Sequence, residues 1–178
     1  MNLMIVKVED LMIIPEFNGL SADILKMQLD SIEQMIRKYT NNNFQNRNIR
    51  FLADSVGTIL NGSSPFIAEG DTIQVSDSRV NDGLYVITDV DEGSVTVDRP
   101  LFTADRNLVT KVEYPADVKV GVINLMKWEV TNRNKVGIKQ ETISRHSVTY
   151  FDQDSNNQVM GYPVSLLGFL KPYMKARF

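Results

Sequence analysis

The chain has 178 residues, 43% of them hydrophobic and 23% charged, with a formal net charge of −3. That balance belongs to an ordinary globular protein of one domain, or one domain carrying a smaller inserted one, and excludes disordered, collagen-like and simple coiled-coil chains. With 19 bases against 22 acids and no cysteine, it also excludes a globally basic nucleic-acid binder, disulfides, thiolate metal sites and cysteine nucleophiles.

The first residues, Met1 to Lys7, are apolar, but Lys7, Glu9 and Asp10 cut the run short, which is not the shape of a signal peptide. No apolar stretch approaches the ~18 residues a membrane span needs. Val8 to Ile14 reads as a short helix or a strand, ended by Pro15 and Gly19. Residues 21 to 40 are predicted as the first strong helix. Ser21 is a good N-cap and Asp23 sits near the positive end of the dipole. Ile24, Leu25, Leu29, Ile32, Met35, Ile36 and Tyr39 recur at helical spacing. Lys26, Asp30, Glu33, Gln34, Arg37 and Lys38 are assigned to the solvent side. Asn41, Asn42 and Asn43 stop the helix, because asparagine favours turns and left-handed backbone.

From Gln45 to Glu113 the period changes to two. Arg47–Ala53, Thr72–Ser76, Leu84–Thr88, Ser94–Asp98 and Leu108–Val112 read as short strands separated by Gly- and Asp-containing turns. The spacing predicts a small antiparallel barrel or sandwich. Helix resumes at Pro115, which suits a first turn, with Val118, Val122, Leu125, Met126 and Val130 on one face and Ile123 beside it. Asn132 and Asn134 mark its end. Gly137 to Tyr150 is polar and reads as an extended hairpin or long loop, followed by a polar turn from Asp152 to Gln158. Pro163 opens a short last helix carrying Leu166, Leu167, Phe169 and Leu170, Pro172 ends it, and Tyr173 to Phe178 is a basic, aromatic tail. The two helical flanks are each too small for a core and are expected to pack on each other, with 45–113 inserted between them. That insert has six bases against eleven acids, a net −5, whereas Gly161 to Phe178 has Lys171, Lys175 and Arg177 and no acid.

Chemistry-bearing motifs are scarce. His146 is the only histidine, and no Gly-x-Ser-x-Gly elbow accompanies it. A hairpin side chain is the plainer reading. Asp89, Asp91 and Glu92 lack the glycine and spaced oxygens of a calcium loop and read as a solvated turn. Neither a phosphate loop nor a dinucleotide fingerprint occurs. No catalytic residue, metal or cofactor is therefore expected. The tail is different. Tyr173, Lys175, Arg177 and Phe178 combine aromatic anchors with positive charge, the usual chemistry of a docking segment. Such a tail is expected to be mobile in a free subunit, and cutting it off is expected to leave stability nearly unchanged.

Several segments, taken in order, resemble one family. A first helix ends Ile36-Arg37-Lys38-Tyr39-Thr40-Asn41-Asn42-Asn43-Phe44, and a second runs from Pro115 to Leu125-Met126-Lys127-Trp128-Glu129. Val136 to Tyr150 follows, then Gly161-Tyr162-Pro163, Leu166 to Leu170 and Lys171 to Phe178. Residues 20 to 44 and 114 to 178 together resemble the head–tail connector (adaptor, or head-completion) proteins of tailed double-stranded DNA phages, in their Gram-positive siphophage and prophage branch. The resemblance implies a small helical subunit, and this chain departs from the smallest relatives by its β insert; the fold expected is α+β, a small helical connector domain, residues 1–44 and 114–178, with an inserted antiparallel β-barrel-like module, 45–113. The resemblance also implies a structural virion protein, not an enzyme, in a homo-oligomeric ring, a dodecamer, beneath the portal protein. The ring extends the DNA channel, receives the next neck or tail-completion protein and helps retain the genome, at the virion neck after synthesis in the host cytoplasm. The tail residues then dock on the portal or on a neighbouring subunit. Lys139, Gln140 and Arg145, on the polar segment, face the channel or the next subunit. Double-stranded DNA passes without sequence-specific binding, and no membrane is involved. Three rival readings stand beside this one: a small-barrel nucleic-acid-binding or regulatory protein, a hydrolase using His146, and another neck or tail-terminator protein.

Overall fold

The computed structural model describes residues 5–133, 140–143, 146–149 and 158–176, with the backbone alone for 140–143 and 146–149. The chain divides into two compact units. One is Asn42–Tyr114, and the other comprises the described residues of Met4–Asn41 and Pro115–Phe178.

The second unit is mainly helical. Helix α1 (Val8–Met12) buries Val8 and Leu11 and gives way to a 3-10 turn over Pro15–Phe17. The residue before a proline is pushed out of the helical region, so α1 cannot run on. Helix α2 (Ala22–Thr40) starts where predicted, with Ser21 Oγ accepting from the Ile24 N–H at 3.3 Å. It ends at Asn41, whose left-handed backbone (φ 50°) closes the last turn through a bond to Arg37 O. Its buried stripe holds Leu25, Leu29, Ile32 and Ile36, whereas Ile24 is exposed. Glu33 and Arg37, assigned to solvent from the sequence, are also buried, at 1% and 9% exposure. One turn apart, they form an ion pair, and the other Glu33 oxygen accepts from the Ile5 N–H at 3.1 Å. A charge enters a core only when it is neutralised and hydrogen-bonded.

Helix α3 (Ala116–Asn132) is capped by Pro115, which stands just outside the first turn, and buries Val118, Gly121, Val122, Leu125 and Met126. It packs against α2 and against a 3-10 segment over Val164–Tyr173. In that segment the expected short helix tightens to three residues per turn. Leu167 and Leu170 thus fall on one line and are both buried. Strands β5 (Gln140–Ile143) and β6 (His146–Thr149) pair as an antiparallel ribbon, as do β7 (Gln158–Val159) and β8 (Tyr162–Pro163). Here β1 to β4 are the strands of the other unit.

Those strands are β1 (Gln45–Asn61), β2 (Thr72–Ser76), β3 (Gly83–Asp91) and β4 (Ser94–Val112). β2 follows the predicted alternation, with Ile73 and Val75 buried and Thr72, Gln74 and Ser76 half-exposed. The segments read as separate strands at 94–98 and 108–112 are one strand running through Pro100. The barrel-like module expected from the sequence is not formed. The sheet is open, in the order β1-β4-β2-β3, with β1 paired to β4 alone and a further β3–β4 pairing. The class is α+β with open sheets. Short alternating strands with Gly-Asp turns are common to barrels and open sheets. Strand pairing separates the two, and pairing is a long-range property. The rival reading of a small-barrel binder loses its barrel with it.

The register of β1 on β4 shifts at four places, and two of these lie between Ala53 and Gly57. Ala53 faces Asn107, Ser55 faces Ala104 and Gly57 faces Leu101. Asp54 therefore opposes Asp105 and Arg106, and Val56 opposes Phe102 and Thr103, as in β-bulges. Bulges leave ladder groups unpaired, and buried side chains satisfy them here. Asn81 Nδ2 donates to Ser55 Oγ (3.0 Å), Phe102 O (2.9 Å) and Asn107 Oδ1 (3.2 Å), and Asn81 Oδ1 accepts from the Phe102 N–H (2.8 Å). Asn107 Nδ2 donates to Ala53 O (2.9 Å) and Ser55 Oγ (3.1 Å). Around this polar knot lies an apolar core of Leu60, Ile73, Val75, Ile87, Val95 and Val109.

Candidate functional site

The tail singled out in the sequence is seated on its own subunit. The Tyr173 hydroxyl donates to the Asp117 carboxylate, 2.8 and 2.9 Å from its two oxygens, joining the end of the 3-10 segment to the start of α3. That hydrogen bond, then burial and the Asp117 charge, raise the Tyr173 pKa above its usual value. Two residues on, the Lys175 N–H donates to Thr40 O at 2.8 Å, and Asn41 Nδ2 donates to Ala176 O at 2.8 Å. Thr40 and Asn41 end α2, where helix carbonyls lack intrahelical partners. The tail therefore caps α2. The sequence reading treated Asn41 only as a stop, and Asp117 lies where an acid favours the start of a helix. Neither residue type at its position announces a contact with residues 56 and 135 positions away.

The seat changes one expectation. Residues 173–176 make three hydrogen bonds to the ends of α2 and α3, where the sequence led to the expectation of a segment without contacts in a free subunit. Truncation after Pro172 should lower the unfolding free energy by roughly 1–3 kcal/mol, at about 1 kcal/mol per net hydrogen bond, and Tyr173→Phe by about 1 kcal/mol. Chemical denaturation of the three chains checks this. Equal midpoints would mean that the bonds contribute nothing in water.

Beside the tail, α3 and the 3-10 segment leave a groove of about 470 Å³ lined by Ala116, Asp117, Val120, Gly121, Asn124, Ser165, Leu166 and Phe169. Gly121 makes its floor. A Cβ there would come within 2.4 Å of the Phe169 ring, so the ring lies directly on the helix backbone.

A second cluster joins the end of α3 to β8. Arg133 donates to both Glu129 oxygens, at 2.8 and 2.6 Å, and to Gly161 O at 3.1 Å. Its guanidinium lies 5.0 Å from the Trp128 ring centre and 5.1 Å from that of Tyr162. Burial alone would push the Glu129 carboxyl up, but hydrogen bonds from Arg133 and Tyr162, with the Arg133 charge, outweigh it and hold Glu129 below its ordinary value. The Tyr162 hydroxyl is pushed up to about 12, first by burial and then by the neighbouring Glu129 charge. The sign follows. Above pH 10.0, the usual tyrosine value, the unfolded chain gives up this proton while the folded one keeps it, so stability falls as pH rises toward about 12. Tyr162→Phe should flatten that part of the slope, measured as unfolding free energy at about pH 9 and about pH 11. An unchanged slope would mean that Tyr162 is not the group responsible. The i,i+4 spacing of Glu129 and Arg133 was a legible signal for half of this cluster. The aromatic half was not.

The remaining candidate residues are placed as follows. Gln140 opens β5 opposite Thr149, and His146 opens β6 opposite Ile143. Lys139, Arg145, Arg177 and Phe178 lie outside the described residues. Among the described residues, no group of three or more histidines and acids is placed to hold a metal ion, and no helix is long and apolar enough to cross a membrane. No protein-family model matches the chain, and no curated protein matches its sequence.

Proposed function

We propose that this chain is a structural subunit of the head–tail junction of a tailed phage or prophage. In this reading it is a connector that assembles as a ring under the portal, most simply a dodecamer matching it, and passes the DNA channel on to the next neck or tail-completion protein. Beside the sequence resemblance, the observation that carries this reading is the amount of large apolar side chain left in solvent on two small units. Met12, Ile13, Met27, Val120, Val164 and Met174 are exposed on the helical unit, and Leu52, Val56, Phe66, Val80 and Phe102 on the sheet unit. Side chains of this kind are what an assembling subunit can bury in its contacts.

The other features agree. The slightly acidic balance suits a wall past which DNA slides without trading counterions for phosphate contacts. The Tyr173–Lys175 ledge, held against α2 and α3, presents an aromatic ring and a cation on a fixed backbone for the portal or a neighbour. The work in this reading is positional, not catalytic.

The test uses the full chain with the portal protein encoded in the same genome, mixed and examined by electron microscopy and light scattering. The expected result is a ring stacked coaxially on the portal. A chain that stays monomeric at every concentration and does not bind the portal would overturn the proposal.

A further inference from the structure

We propose that Asn18 is a site of spontaneous covalent modification, at which the folded chain converts an asparagine through a cyclic imide to aspartate and isoaspartate. The inference does not depend on the ring reading.

The sequence holds two Asn-Gly pairs, Asn18-Gly19 and Asn61-Gly62. Such a pair can close on itself, because glycine puts no side chain in the way of the attacking nitrogen. The Gly19 backbone nitrogen bonds to Asn18 Cγ and gives up its proton, which water carries to the leaving amide. The Cγ–Nδ2 bond breaks and ammonia departs. Water then opens the imide. Opening at the Cγ–N bond gives aspartate. Opening at the main-chain carbonyl gives isoaspartate, with the chain rerouted through the side chain.

The fold treats the two pairs differently. Asn18 and Gly19 are both exposed. They are the corners of a turn closed by a 3.2 Å bond from the Leu20 N–H to Phe17 O. Asn18 has φ −59° and ψ 131°, and Gly19 has φ 87°, which is a type II turn. Among the described residues, neither the Gly19 N–H nor the Asn18 side chain has a hydrogen-bond partner. A Cβ at Gly19 would meet nothing within 4 Å. Closure requires the Asn18–Gly19 peptide plane to turn until its nitrogen meets Cγ, and only the turn bond opposes that. At the other pair, Asn61 lies in β1 opposite Ser94 of β4. A Cβ on Gly62 would come within 2.6 Å of Leu52 O and 3.1 Å of the Ala53 and Phe51 side chains, so β1 itself walls in that peptide. Cyclisation at Asn61 needs the end of the sheet to open, and at Asn18 it does not.

Position gives the change a consequence. Asn18 lies between Phe17, which is 1% exposed, and Ser21, whose Oγ caps α2. Glu16 pairs with Lys127 of α3 at 2.7 Å. Isoaspartate lengthens the backbone by a carbon atom, so the Phe17 anchor and the Ser21 cap no longer fit the same connection. Either product adds a carboxylate close to Glu16 in the chain.

The test uses the full chain, native and in urea, with alkaline hydroxylamine, which cuts a chain at the cyclic imide. Native protein is expected to be cut after Asn18 at least tenfold faster than after Asn61, and unfolded protein at both pairs at similar rates. In warm, mildly alkaline buffer without hydroxylamine, peptide mapping by mass spectrometry should show aspartyl and isoaspartyl forms of the Asn18 peptide accumulating, and the urea midpoint should fall with them. Asn18→Gln should keep its midpoint under the same treatment. A native chain cut no faster after Asn18 than after Asn61, a ratio of the two rates unchanged by urea, or an Asn18→Gln chain that loses stability as fast as wild type overturns the proposal.

Discussion

Glu33→Ala is expected to destabilise the helical unit by about 3–5 kcal/mol, the usual cost of breaking a buried ion pair from one side. The substitution takes the carboxylate from Arg37 and the acceptor from the Ile5 N–H, both within the packed interior. The double replacement Glu33→Met with Arg37→Met should recover most of that loss, because hydrophobic residues of similar volume commonly replace a buried pair at little cost. Urea unfolding of the wild type, the single and the double variants measures both. A single variant within about 1 kcal/mol of wild type would show that the pair is solvated in solution and that α2 does not carry it into the core.

A loss of similar size is expected in the other unit. Asn81→Ala removes two donors and an acceptor from the bulge, stranding the Phe102 N–H and opening a void behind β4. At about 1–3 kcal/mol for each buried group left unpaired, plus the void, roughly 3 kcal/mol is expected. Asn81→Asp keeps the size but loses the donors and buries a charge, so it should be no better. The distinguishing readout is hydrogen exchange at Phe102. Its amide should lose protection in Asn81→Ala even where the variant is still folded, because Asn81 Oδ1 is its acceptor. Protection equal to wild type would mean that the ladder, and not Asn81, holds the bulge.

Parts of this protein are legible because their causes are local. Ser21 caps α2, Asn41 ends it in left-handed backbone, and the alternation of Thr72 to Ser76 is that of a half-buried strand. Each depends on residues within a turn or on side-chain period alone. The open pairing of the sheet was not legible. A strand pattern specifies which faces are apolar, and the same faces serve a barrel or an open sheet. The stretches 94–98 and 108–112, read as two strands, are one strand that continues through Pro100, and its shifted register with β1 is a long-range property.

By itself, then, the sequence determined the helices at 22–40 and 116–132, the period-2 stretch between them, the acidic insert and the basic aromatic end. Tertiary structure alone decided that Glu33 and Arg37 go inside, that Asn81 reaches across to hold Phe102, and that Tyr173 and Ala176 fasten the tail to Asp117 and Asn41. The physical reason is the same in each case. A polar side chain is free to face water unless a specific distant partner satisfies it, and that partner exists only after the chain has folded.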